Sequence, residues 1–442
     1  MINNVCVGLY ESDITPKDNL WLVGYANRFH KSRGVYKKIK AGAIYLKINK
    51  KEYLIITADL IGFSPSFTAS LKTELGIILG INYKNIILTA THTHCGPYFW
   101  KWNMPGFVEY EYSKFLLNKI IKMSMIAKSS GVTGKLYYSK TKSNFGVNRR
   151  KIIDGKAEFK PNPNGPMDRD LYTVIFKDIE DSIIGTWTIY GCHPTSLGGY
   201  LIGPDYPGYV KDRIRKYTHS YAFFSTGCAG DIRPLYKKSD INTDTTKGHQ
   251  GIGTFNRPTF KELEIESKKI ATDVINNLDN HNEIKLNNFK MQQFYNYLDF
   301  NKLPSKKELL NVMNGGNDFI NVSNNSKYYK KWAKYFLSQI ELTQLPETCP
   351  QEIQIMCFDN LNIIFLAGEI LTEIGINIKK EFKNKETITI AYSNGLIGYV
   401  AGSSTYKYGG YELDKSYPLY LKPSKFSINS EDKIIDNLNK FI

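Results

Sequence analysis

An α/β fold, with α+β as the alternative, follows from two patterns in this 442-residue chain: short runs rich in Ile, Val, Tyr and Phe recur along it, and helical periodicities lie between several of them. A hydrophobic fraction of 42% allows the large core that such a fold requires. The expected architecture is a layered mixed β-sheet core with surrounding helices and a site at the strand ends.

The elements follow in chain order. The segment Met1 to Gly8 lacks a basic leader and a long apolar stretch, and reads as the first strand. Glu52 to Leu60 is the next strand-like run. Ser64 to Leu79 is helical, with Ser64 as N-cap and Pro65 in the first turn. Asn85 to Ala90 is a strand, and Tyr110 to Ala127 a helix with Phe115, Leu116, Ile120, Ile121 and Met125 near one stripe. Strands follow at Leu171 to Phe176, Ser182 to Tyr190 and Ser220 to Ser225, with a short helix at Tyr206 to Tyr217. Thr259 to Leu278 repeats apolar residues at helical spacing. Ile353 to Phe358, Asn362 to Ala367 and Thr387 to Ala391 complete the strands, and a helix over Glu369 to Phe382 is expected to open just after Gly368. Leu235 to Leu345 is more polar and richer in Lys and Asn. It reads as a helical insertion or lid within one catalytic domain spanning 1–442, with surface loops at Asn314-Gly315-Gly316-Asn317 and Asn321 to Asn325.

Composition narrows the function classes. The formal net charge is +16, but the lysines are spread along the chain and no arginine-rich tract stands out, so nucleic acid is not an expected partner. No window approaches the 18 apolar residues of a membrane span, so stable membrane insertion is not expected. The six cysteines show no paired spacing, which suits free thiols in the cytoplasm.

The chemistry concentrates in five segments. Thr91-His92-Thr93-His94-Cys95-Gly96-Pro97 follows an apolar strand. Strand alternation would put both imidazoles on one face, able to bind a metal or to divide into ligand and acid/base. Gly191-Cys192-His193-Pro194-Thr195-Ser196 again delivers a histidine at a strand end. Ser225 to Pro234 holds small residues, among them Cys228 and Gly230, that let backbone approach a ligand. Ala367-Gly368-Glu369 and Gly398 to Tyr406, ahead of Tyr411-Glu412, complete the set. Each has a plainer reading on its own: Glu369 as a charge in a helix's first turn, Tyr406 as a packed aromatic, His193 as a structural histidine.

Together these segments resemble the neutral ceramidase family of zinc amidases. The resemblance runs through Val7-Gly8, Ser12-Asp13-Ile14-Thr15-Pro16, Gly24-Tyr25, the T-H-T-H-x-G-P motif at Thr91 to Pro97, Asn148-Arg149, His193 to Ser196, Gly368-Glu369, and the tyrosine segment Tyr399 to Tyr406 with Tyr411-Glu412. It implies one Zn²⁺ per chain held by His92, His193, Glu369 and Tyr406, a ligand set suited to that ion. It further implies His94 and Tyr406 as catalytic groups, His94 being the acid/base or oxyanion donor. Arg149 would act in catalysis and in orienting the polar part of the substrate. Asp59 and Asp231 are plausible carboxylates for fixing a histidine tautomer, or plain turn residues.

The chain departs from the family where a serine is expected: that position holds Arg233, a fixed cation that recognises oxyanions and cannot be a nucleophile. Substrate contacts are therefore expected from Arg149, Arg233, Cys228 and Gly230. The family's C-terminal β-sandwich and a secretory leader are also not apparent, which makes ceramide an unexpected substrate. The expected activity is hydrolysis of an amide bond in a polar or anionic N-acyl small molecule by metal-activated water. Ester, lactone or phosphoester hydrolysis on the same site, or a non-catalytic binding role, are the alternatives.

Overall fold

The computed structural model describes residues 5–236, 255–316 and 327–442. A nine-stranded sheet runs in the order Tyr221–Thr226, Ile183–Tyr190, Asp170–Asp178, Val132–Lys142, Val5–Asp13, Lys40–Ile48, Lys51–Ala58 and Ile86–Ala90, with His281–Glu283 paired to Val132–Lys142 off this path. Its two outer pairs, Ile183–Tyr190 with Tyr221–Thr226 and Lys51–Ala58 with Ile86–Ala90, are parallel, while the pairs between them are antiparallel. A second sheet of four strands runs Lys290–Asp299, Thr348–Cys357, Leu361–Leu366, Glu386–Ile390 and ends in another parallel pair. The fold is thus the layered mixed α/β architecture.

Each of these three parallel pairs is joined through a helix, the usual crossover between parallel strands. The helices are Pro65–Leu79, Tyr206–Thr218 and Thr372–Glu381. Ser64 caps the first by accepting from the Phe67 N–H, and Pro65 sits where its missing N–H costs nothing. The two sheets pack face to face through Val7, Leu46, Trp187, Phe223, Ile363, Phe365 and Ile388, with the Trp187 and Phe365 rings stacked at 6.1 Å. Helices Pro65–Leu79 and Tyr110–Ser129 cover the other face of the large sheet, packing Leu71, Leu75, Leu116 and Ile120 on Ala43, Leu54 and Ile56.

This arrangement brings the carboxyl ends of the parallel strands together. The N–H of Ala90 bonds Tyr392 O at 3.3 Å, and that of Ala391 bonds Thr226 O at 3.1 Å. Thr89 and Ser393 form a further bridge. The chain therefore leaves strands of both sheets at one place, where binding sites of such folds collect.

Three expectations are corrected. The helix after Gly368 starts at Thr372, not at Glu369. Glu369–Ile370 pairs in parallel with Tyr399–Val400, the Glu369 N–H bonding Gly398 O at 2.8 Å, and Gly368 at φ +109° turns the chain into that position. Part of the polar stretch 235–345 is built into the core and not only added to it: Lys290–Asp299 pairs along its whole length with Thr348–Cys357, and Phe260–Ile275 buries Leu263, Ile270 and Val274 in the core that holds Val210 and Ile214, while helices Lys306–Asn314 and Lys327–Leu342 pack in a cluster of their own. Its polar composition reflects half-buried strand and helix faces. Of the expected loops, Gly315 ends helix Lys306–Asn314 in the left-handed conformation at φ +100°, whereas Asn317 and Asn321 to Asn325 lie outside the described residues. Thirdly, strands Lys40–Ile48, Val132–Lys142, Gly146–Ile153 and Lys156–Asn162 join those read from the sequence.

Candidate metal centre

His92, His94 and His193 meet where the strands end, with one ring nitrogen from each lying within 4.8 Å of the others. Strand alternation does not bring His92 and His94 together, because Ile86–Ala90 ends before them. The chain instead turns at His92, whose φ is +67°. His193 follows Ile183–Tyr190, and its N–H bonds Ile232 O at 3.0 Å.

In all three rings Nδ1 faces a backbone carbonyl: Ile61 O at 2.5 Å from His92, Gly24 O at 2.9 Å from His94, and Ala229 O at 2.5 Å from His193. A carbonyl can only accept, so each Nδ1 carries the proton and each Nε2 presents a lone pair. Those lone pairs point at one another and at a carboxylate. The Nε2 atoms of His92 and His94 are 3.3 Å apart, and Glu369 Oε2 lies 3.2 Å from His92 Nε2 and 3.0 Å from His193 Nε2. Without a cation this cluster is repulsive. Protons would relieve it, but burial holds His94 well below the ordinary histidine range, and burial with the Arg149 charge pushes His193 down to about 4. The donor set fits a divalent transition metal, and nitrogen with carboxylate is what Zn²⁺ takes.

The other expected residues divide. Arg149 is buried beside the cluster, giving Nε to Glu412 Oε1 at 2.8 Å and Nη2 to the Tyr399 hydroxyl at 3.0 Å. Tyr406 is not brought to the metal donors. Its hydroxyl is committed to the carbonyls of Phe426 and Ser427 at 2.9 and 2.8 Å, because Ser403–Tyr408 forms a short helix that turns the ring away. The tyrosine hydroxyl on Glu369 belongs to Tyr420, which donates to Oε1. Asp59 does not orient a histidine: both its oxygens take Lys211 Nζ at 2.8 Å. Asp231 binds the Thr372 N–H and Asn148 Nδ2, each at 2.8 Å, and so ties the Gly-rich turn to the segments carrying Glu369 and Arg149. Backbone carbonyls take the orienting role expected of these two carboxylates.

Cys228 packs against the helix behind the site: a Cβ on Gly375 would lie 2.8 Å from Cys228 Cβ, and burial pushes the thiol up to about 12. Gly230 serves packing too. A Cβ there would sit 2.9 Å from Glu369 O and 3.0 Å from Ile370 O, so the missing side chain lets this turn close on the Glu369 segment. Arg233 is buried, with Nη2 on Thr195 O at 3.1 Å.

Sequence reasoning missed Tyr420, Tyr25 and Tyr392. The Tyr25 and Tyr392 rings lie 4.8 Å from His94 and 4.1 Å from His92, the latter stacked. Tyr25 belongs to the Gly24-Tyr25 pair that carries part of the family resemblance, but nothing in the sequence marks the other two among 31 tyrosines.

A family model described as neutral/alkaline non-lysosomal ceramidase, N-terminal, matches residues 5–313. The neutral ceramidase of Drosophila melanogaster is 26% identical over 231 residues, covering 48% of this chain and 32% of that protein. The neutral ceramidase of Pseudomonas aeruginosa is 23% identical over 332 residues, covering 68% of this chain and 46% of that protein. The matches thus span less than half the length of these relatives. Among solved structures, neutral ceramidase from Pseudomonas aeruginosa superposes with a TM-score of 0.73 at 16% identity, over 99% of this chain and 74% of that one. A ceramidase complexed with C2 gives 0.72 at 15% identity, with the same coverage. At these identities the superpositions speak for the fold.

Proposed function

This chain belongs to the neutral/alkaline non-lysosomal ceramidase family, and on that premise we propose that it is a zinc-dependent hydrolase that cleaves the amide bond of a polar N-acyl small molecule. The observation that carries this reading is the convergence of three histidine rings, with one nitrogen of each within 4.8 Å of the others, two of them with Nε2 on Glu369 Oε2, while all three Nδ1 atoms face backbone carbonyls. His92, His193 and Glu369 would hold the ion. A zinc ion there supplies Lewis acidity that polarises an amide carbonyl and brings the pKa of water towards ~7.

His94 is the only partly exposed member of the histidine group, the other two being buried. It is therefore placed to meet substrate, and its Gly24 hydrogen bond leaves Nε2 free to move a proton between water and the departing amine. Tyr420 fixes the Glu369 carboxylate through Oε1 and leaves Oε2 to the centre. Arg149 holds the Tyr399 hydroxyl and sets a positive charge beside His193. A cytoplasmic location is part of the proposal, supported by six free thiols.

The test is turnover of a chromogenic panel sharing one acyl group on an anilide, an ester and a phosphoester. The anilide is expected to be cleaved, and His94→Ala to lower its kcat by ~100-fold or more with bound metal retained. Cleavage of the ester or phosphoester alone would overturn the amidase reading.

A further inference from the structure

Beside the metal centre lies a second group of cations. Arg233 is 5% exposed, and its Nε has no hydrogen-bond partner. Its Nη2 and Arg257 Nη1 bind the same carbonyl, Thr195 O, at 3.1 and 2.7 Å. Arg257 Nη1 also reaches Ser196 O at 3.1 Å and the Tyr25 hydroxyl at 3.3 Å. Neither guanidinium forms an ion pair with a carboxylate among the described residues. Asp205 feels the Arg257 charge, but its oxygens are taken by the N–H groups of Leu197 and Tyr206 at 3.0 and 2.7 Å.

Aromatic rings pack against both cations. The Arg233 guanidinium lies 4.3 Å from the Phe255 ring centroid and 5.7 Å from that of Phe159. Arg149 sits 4.9 Å from the same Phe159 ring but has Glu412 as counter-charge. Arg257 is 5.3 Å from the Tyr25 ring, and Tyr25 is 4.8 Å from His94. One ring therefore separates this pair of cations from the catalytic histidine.

We propose that Arg233 and Arg257 form an oxyanion subsite for the substrate, so that the N-acyl compound carries a carboxylate or phosphate near its scissile amide. Two like charges held over one carbonyl repel each other in a poorly solvated place, and an oxyanion between them relieves that repulsion. A guanidinium offers fixed, paired donors to such a group, and the free Nε–H of Arg233 is one. Burial and the Arg257 and Arg149 charges already push Arg233 below the usual arginine range. Arg257 is only half-buried, which leaves an approach from solvent on its side. The inference rests on the hydrolase reading for the amide, and on the two arginines alone for the anion.

Three probes test it: N-octanoylglycine, N-octanoylethanolamine phosphate and uncharged N-octanoylethanolamine. Calorimetry on the metal-free protein reads binding, and kcat/KM of the zinc-loaded protein reads turnover. Both anionic probes, or one of them, should bind metal-free wild type at least ~10-fold tighter than the uncharged amide, and the tighter of the two identifies the anion. Arg233→Met and Arg257→Met should each cut that preference by ~10-fold or more, with Arg233→Lys restoring part of it. Thermal melts of all variants establish that they are folded, and Arg233→Lys carries the test should Arg233→Met fail to fold. A wild-type protein that binds the three probes equally would overturn the subsite, even if it hydrolyses amides. Arginine-dependent anion binding without turnover would uphold the subsite and count against the amidase reading.

Discussion

At His92 the backbone enters the left-handed region, φ +67°, at a cost of about 1–3 kcal/mol that the surrounding hydrogen bonds must over-determine. The return is convergence: His92 and His94, two residues apart, turn their Nε2 atoms onto one point. Gly24 is part of the same device. At φ +102° its carbonyl accepts the hydrogen bond of His94 Nδ1–H, and a Cβ there would lie 2.6 Å from His94 Nδ1. Gly230 has the equivalent duty towards Glu369, so Gly230→Ala is expected to displace that carboxylate and weaken zinc retention by about 10-fold or more against a chelator, with an unchanged circular dichroism spectrum. Tyr420→Phe is expected to weaken metal binding by about 10–100-fold, whereas Tyr406→Phe is expected to leave it intact. The reverse order in a chelator competition would return Tyr406 to the ligand set. That the histidines and Glu369 meet was legible from their segments, each of which follows an apolar strand-like run. Tyr406 misled because spacing along the chain does not report the short helix at Ser403–Tyr408 that redirects its ring.

At the scale of elements, the three helix-linked parallel pairs set the geometry, and the sequence displayed all six of their strands as apolar runs with ends within about three residues of those observed. Strands buried on both faces carry that signal strongly. Lys290–Asp299 did not, since it carries Gln292, Gln293 and a buried Asn296, exposes Lys290, Tyr295 and Tyr297, and is only partly buried, so pairing with Thr348–Cys357 decides its conformation. Glu369–Ile370 is a two-residue pairing that no periodicity could announce. The helix Phe260–Ile275 was legible from its spacing, and its start is fixed by a capping box between Thr259 and Glu262. Thr259→Ala is expected to cost about 1 kcal/mol in urea unfolding with no change in metal content. Trp187→Ala, which removes the ring stacked on Phe365 between the sheets, is expected to cost about 3–5 kcal/mol. A small effect at Trp187 would mean that the two sheets do not share a core.

For the whole molecule, the centre joins parts far apart in the chain. His92, His193 and Glu369 come from both sheets, and Tyr420 follows them near the C-terminus. An ion held by His92, His193 and Glu369 would bind the folded chain and not the unfolded one, so its removal should lower the melting temperature as well as activity. The charge of +16 bears differently on the molecule. Much of it sits on lysines of exposed faces, while the cations proposed to serve the site are the buried Arg149 and Arg233 and the half-buried Arg257. No described helix is long and apolar enough to cross a membrane. The measurement that bears most directly on the account is metal analysis of the purified protein beside His92→Ala and Glu369→Ala. About one zinc per chain, lost from both variants while each still folds, is the predicted result. A wild-type protein that takes up no metal, even after reconstitution with Zn²⁺, would contradict it.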